Sequence, residues 1–144
     1  ELPEYIVHIR PTTPFRDPKL IDQAIVSFMS HPSATALRSV HAMSESAYKT
    51  FEIAQGGQLQ QIVSGSTELD RANNARQEYP MTYVANGYID VLSKSFIRET
   101  QKIHGDHVIP FITPAVDEID TEEDFLRLES QLEKNSDLIT RLFG

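Results

Sequence analysis

The stretch Tyr5–Arg16, YIVHIRPTTPFR, constrains the fold of this chain more than any other. Tyr5 to Ile9 is short, mostly apolar and rich in β-branched residues. It is too short for a stable helix and reads as a buried strand of a parallel sheet. Pro11 and Pro14 then break it. Each proline removes a backbone donor and pushes its predecessor towards an extended conformation. Asp17-Pro18 follows and opens a helical pattern. The order strand, rigid polar loop, helix implies an open α/β sheet, in which ligands bind beyond the carboxyl ends of the strands. That places Arg10, Thr12, Thr13 and Arg16 together as two fixed cations and two hydroxyls, a set suited to phosphate or carboxylate oxygens. The same loop also reads as a stiff connector with solvated arginines, and its local sequence leaves both open.

Along the chain, Pro18 to His31 reads as a helix with Asp17 as N-cap. Leu20, Ile21, Ala24, Ile25, Phe28 and Met29 form one apolar face. Thr35 to Met43 reads as the next strand, so strand, helix and strand imply a parallel right-handed crossover. Tyr48–Ile53 and Gln58–Val63 read as two strands joined through Gln55-Gly56-Gly57, with Lys49 in the first. Ser64 to Tyr79 is polar and reads as a loop with at most a short helix. Met81–Ala85 and Tyr88–Leu92 read as extended. The Asn86-Gly87 between them supplies either a tight turn or a glycine where backbone meets a ligand. Ser93–Thr100 reads as a short helix, and Val108–Ile112, with Pro110, as an edge strand. Thr121–Asn135 is an amphipathic helix with Phe125, Leu126, Leu128 and Leu132 on its apolar side and Asp120 with Glu123 as a capping box. Ser136–Phe143 is a final short helix burying Leu138, Ile139 and Leu142.

The sharpest chemical signal is acidic. Glu118 and Asp120 are two apart in an extended segment, so both side chains face one way. Such a pair suits Mg²⁺, which takes one or two carboxylates plus substrate phosphates. The competing reading has Asp120 capping the next helix and Glu118 solvated. The five histidines show no zinc spacing, and His104 and His107 read as surface groups of a turn. No GxSxG, P-loop or Ser-His-Asp pattern is present.

Composition narrows the classes further. With 144 residues, 40% of them hydrophobic, the chain can build one domain of ordinary size. It has no cysteine, so disulfide and thiolate chemistry are excluded. No apolar run approaches membrane-spanning length and no secretory signal is visible, which makes the cytoplasm the default setting. A net charge of −8 argues against a general nucleic-acid binder. It still allows a nucleotide held by a few local cations and a metal. The chain begins at Glu1 and runs at once into a strand, as a fragment or processed chain would.

Taken together, four stretches resemble the CMP-sugar cytidylyltransferases of nonulosonic acids, the acylneuraminate family. Ile9-Arg10-Pro11-Thr12-Thr13-Pro14-Phe15-Arg16 resembles its L-Q-P-T-S-P-L-R motif. Tyr48-Lys49 falls where that family has a flanked lysine. Ala75-Arg76-Gln77 with Pro80, Tyr83 and Asn86-Gly87 resembles its R-Q…P…Y…N-G stretch. Glu118-Ile119-Asp120-Thr121 with Asp124-Phe125 resembles its D-I-D-T…D-F ending.

The resemblance implies a three-layer, Rossmann-like nucleotidyltransferase fold with a mixed, mainly parallel sheet, incomplete at the amino terminus. Residues 1–144 would be a single α/β domain with a dimerisation arm within about 47–81. The implied enzyme activates an acidic nine-carbon sugar with CTP, or GTP, and releases pyrophosphate, as Mg²⁺ shields the charge. Glu118 and Asp120 would hold the metal, with Arg10 and Asp120 catalytic. Arg10, Thr12, Lys49, Arg76, Gln77 and Asn86 would bind substrate. Arg10 stands where the sialic acid enzymes usually have Gln, and Asp90 where they often have Tyr, which points to a bacterial relative acting on legionaminic or pseudaminic acid. The family's glycine-rich nucleotide loop has no counterpart here, so the chain is expected to be inactive alone. A Kdo-type relative and a non-catalytic sugar-binding or regulatory subunit are the alternative readings.

Overall fold

Asp17 and Pro18 start the first helix as their local chemistry requires. In the computed structural model, which describes residues 3–143, the Asp17 carboxylate accepts from Lys19 N at 2.9 Å and Pro18 takes the first helical position of α1, Pro18–Met29. The other elements are β1 (Tyr5–His8), β2 (Ala36–Ala42), β3 (Phe51–Ile53), β4 (Leu59–Gln61), β5 (Tyr83–Ser93), α2 (Lys94–Thr100), β6 (Val108–Ile112), α3 (Glu122–Lys134) and α4 (Ser136–Phe143). The described residues form two compact units. One comprises the residues up to His41 and from Ala85 onward, and the other is Ala42–Val84.

The first unit is a mixed α/β domain around a four-stranded sheet in the order β1-β5-β2-β6. β1 pairs antiparallel with β5, and β2 pairs parallel with β6. Ser93 N donates to Thr35 O and Ile89 N to Ser39 Oγ, so β5 also runs against β2. The strand expected to be buried in a parallel sheet is therefore an edge strand with an antiparallel neighbour, and β5 lies between the two ends of the expected crossover. The burial of β5 on both faces, continuous from Tyr88 to Leu92, explains its central place. Ile89 and Val91 are fully buried with Leu37, Ala24 and Phe28 in the core under α1. Asp90 points to the opposite face, beside His8 and Arg38. Pro110 sits on β6 at the other edge, where its missing donor is tolerated.

Four local expectations change. Asn86-Gly87 makes no turn, because β5 continues through it with Gly87 at φ 63°. The cap of α3 is Thr121, whose hydroxyl accepts from Asp124 N while the Asp124 carboxylate accepts from Thr121 N; Asp120 and Glu123 do not form the box. In α3, Leu128 is buried, whereas Phe125 and Leu126 are exposed. In α4, Leu142 is buried and Ile139 is exposed. The short helix after β5 does form, capped by the Ser93 hydroxyl on Phe96 N.

The second unit holds the β3–β4 hairpin, paired Phe51↔Gln61 to Ile53↔Leu59, with Gly57 at φ 80° in its loop. Its strands are shorter than the sequence pattern indicates. Lys49 lies in a 3-10 turn, Ala47–Lys49, and not in a strand. The polar stretch after the hairpin holds two further 3-10 turns, Asp70–Asn73 and Arg76–Glu78. Tyr48 and Tyr79 stack with centroids 5.6 Å apart. No helix among the described residues is long and apolar enough to cross a membrane.

Candidate functional site

The loop after β1 and the acidic segment before α3 meet directly. Ile119 N donates to Thr12 O at 2.8 Å. This bond sets Glu118 and Asp120, on either side of Ile119, beside the Pro-rich loop. The acidic run divides by role. Asp117 pairs with Arg127 at 2.8 Å, and Asp124 closes the capping box. The hydrogen bond from Thr121 and the backbone bonds around it hold the Asp124 carboxyl below the usual aspartate range. The Asp117 carboxylate raises the pKa of Arg127, chiefly through their hydrogen bond. Glu118 and Asp120 have no hydrogen-bond or ion-pair partner for their carboxylates among the described residues. Since Thr121 supplies the cap, Asp120 is not needed there.

The four polar residues of the loop also divide. Arg16 turns inward. Its Nε donates to Tyr88 O at 2.8 Å and its Nη2 to Gly87 O at 3.2 Å, and its guanidinium also reaches the carbonyls of Thr13 and Arg10. Desolvation lowers its pKa, partly offset by Tyr88, though a guanidinium stays charged at any relevant pH. Thr13 is buried. Both were expected to face ligand; Arg16 instead holds the loop in shape, and the Thr13 hydroxyl is buried with no hydrogen-bond partner among the described residues. Arg10 and Thr12 are exposed, and the Arg10 guanidinium makes no hydrogen bond or ion pair among the described residues.

Asn86 is 1% exposed; its amide donates to Thr113 Oγ1 at 2.7 Å and accepts from Tyr88 N. Its side chain thus ties β5 to the segment after β6. In the second unit, Arg76 donates to Ser44 O at 2.7 Å and to Met43 O at 2.6 Å, and Lys49 donates to Asn74 O at 3.0 Å. Gln77 is exposed. Arg10, Thr12, Asn86, Glu118 and Asp120 therefore share the first unit, while Lys49, Arg76 and Gln77 belong to the second. A cavity of about 340 Å³ in the first unit is lined by Phe15, Asp17, Tyr88, Thr113 and Asp117 among others. None of the expected site residues lines it.

One cluster has only a faint trace in the sequence. The Asp90 carboxylate, with 7% of its side chain exposed, lies 3.5 Å from His8 Nδ1, 3.7 Å from Arg38 Nε and 3.7 Å from His104 Nε2. An aspartate between Ile89 and Val91 in a buried strand is the only local signal, and its partners come from β1, β2 and the loop before β6. Burying this charge is tolerable because Arg38 accompanies it. No group of three or more His, Asp or Glu among the described residues could hold a metal ion. The two carboxylates of Glu118 and Asp120 remain a chemically suitable donor set for Mg²⁺ only where substrate phosphates complete the shell.

Compared with known proteins, the chain matches no family model, and no curated protein is significantly similar to it.

Proposed function

We propose that this chain is the carboxy-terminal portion of a nucleotidylyltransferase that activates a nonulosonic acid with CTP or GTP. The observation that carries this reading is the hydrogen bond from Ile119 N to Thr12 O. It joins two of the stretches that resemble the acylneuraminate family, and the same unit holds a cation, Arg10, and two carboxylates, Glu118 and Asp120, without a hydrogen-bond or ion-pair partner among the described residues. In this reading Glu118 and Asp120 would hold Mg²⁺, which when bound would supply charge compensation for nucleotide phosphates. Arg10 would take the sugar's carboxylate, with the exposed Thr12 two residues on in the same loop. Lys49, Arg76 and Gln77 are the further substrate-binding residues that the resemblance implies. The fold of the intact enzyme would be the three-layer, Rossmann-like one.

The stretch 47–81 serves as a dimerisation arm in the same reading. A lone two-stranded hairpin is marginal in water. Ile53, Leu59, Ile62 and Val63 are exposed on and beside it, apolar surface that a second copy would cover.

The test is a titration of the full chain with MgCl₂ and CTP, read by NMR, followed by pyrophosphate assays with an acidic nine-carbon sugar. The assays are run with and without an added amino-terminal polypeptide carrying the nucleotide loop. Shifts at Glu118 and Asp120, abolished in Asp120→Asn, and turnover only in the mixture are expected. Sugar binding without any Mg²⁺ response would favour the non-catalytic subunit.

A further inference from the structure

Gly87 lies between two arginines. Its carbonyl accepts from Arg16 Nη2, and its α-carbon faces the side chain of Arg10. A β-carbon at residue 87 would stand 2.9 Å from Arg10 Cδ, 3.4 Å from Nε and 3.6 Å from Nη1. The first distance is shorter than a carbon–carbon contact allows, and it falls on the middle of the arginine side chain, so Arg10 would have to shift from its present position. Gly87 also holds φ at 63°, inside a strand whose other residues are extended. Backbone freedom explains why glycine suits this φ. The absence of a side chain does something separate, in giving Arg10 a surface to lie on.

We propose that Gly87 is a positioning residue that seats the Arg10 side chain and holds its guanidinium ready for an anionic group of the substrate; its value to substrate binding rests on the function proposed above. A flexible arginine loses rotamer freedom when it binds, and that loss subtracts from affinity. A seat made of bare backbone takes part of that loss in advance. The other cation of the loop supports the assignment, because Arg16 is fully engaged by backbone carbonyls. Arg10 has no hydrogen-bond or ion-pair partner among the described residues to hold it, so its position depends on packing against Gly87.

The experiment compares the full chain with Gly87→Asn, Gly87→Ala, Arg10→Ala and the double variant Arg10→Ala/Gly87→Asn. Asparagine tolerates positive φ better than other side chains but carries a β-carbon, so it separates the seat from the backbone. The first readout is ¹⁵N relaxation of the Arg10 Nε–H group. It should be ordered in the native chain and fall to the flexible range, an order parameter below about 0.6, in Gly87→Asn. The second readout is affinity for free N-acetylneuraminate, an acidic nine-carbon sugar. Gly87→Asn should weaken it by about tenfold, the scale of one charge-assisted contact. In the Arg10→Ala background the same change should weaken it no further. A mobile Arg10 Nε in the native chain overturns the proposal, even if both Gly87 variants fail to fold. So does unchanged order in Gly87→Asn, or an equal loss of affinity in both backgrounds. If the native chain binds no sugar while Gly87→Asn still frees Arg10, the seat stands and the substrate reading falls.

Discussion

Arg16 and Tyr88 meet twice: the arginine Nε donates to the tyrosine carbonyl at 2.8 Å, and the guanidinium lies 5.9 Å from the tyrosine ring centroid. The Tyr88 hydroxyl in turn reaches Asp17 N at 2.6 Å, at the start of α1. One arginine thus ties the Pro-rich loop to the central strand, and the strand's tyrosine ties back to the helix that follows the loop.

Removing that tie should loosen the first unit. Arg16→Ala strands the partly buried carbonyls of Tyr88 and Gly87 and should destabilise the chain by about 2 kcal/mol, as loss of a charged hydrogen-bonding group does. Arg16→Lys should recover only part, because an ammonium cannot reproduce the planar fork. The check is the midpoint of urea unfolding at constant slope.

Asp90 should be the most sensitive polar position. Asp90→Ala leaves Arg38 without its buried counter-charge and should cost about 3 kcal/mol. An equal cost in an Arg38→Met/Asp90→Leu double variant would argue against the ion pair as the cause, since a matched apolar replacement is often neutral. Both follow from chemical denaturation.

Arg76→Ala tests which role the residue has. Its guanidinium bonds the carbonyls of Met43 and Ser44 from an exposed position. The loss should speed amide hydrogen exchange across 42–84 and cost about 1 kcal/mol locally. Unchanged exchange, with weakened sugar binding, would restore it to the substrate site.

Acid should fray the start of α3. The Asp124 carboxyl titrates below its ordinary range because the ionised form is bonded to Thr121. A lowered folded pKa means the contribution is complete above the unfolded value of about 4 and disappears as pH falls through the folded value. Carboxylate NMR titration of Asp124, with amide shifts at Glu122 and Glu123, should show the loss below about pH 4 and none between pH 5 and 8. Asp124→Asn should flatten the response.

Several local decisions follow from sequence alone, because they involve neighbours in the chain. Asp17-Pro18 suits a helix start, the α1 face is set by residues three and four apart, and a glycine pair between two strand-forming runs makes the hairpin of β3 and β4. The elements were legible for that reason. The cap of α3 shows where local reading stops: Asp120 and Thr121 both qualify, and the choice depended on which could exchange bonds with a residue three positions on. Strand order needed the tertiary structure, since the placing of β5 between β1 and β2 depends on pairing far along the chain. The candidate site divides in the same way. Glu118 and Asp120 could be named from spacing. That Arg16 would turn to backbone carbonyls while Arg10 stayed open could not, because two arginines in one loop look alike until a distant strand supplies acceptors to one and a bare glycine to the other.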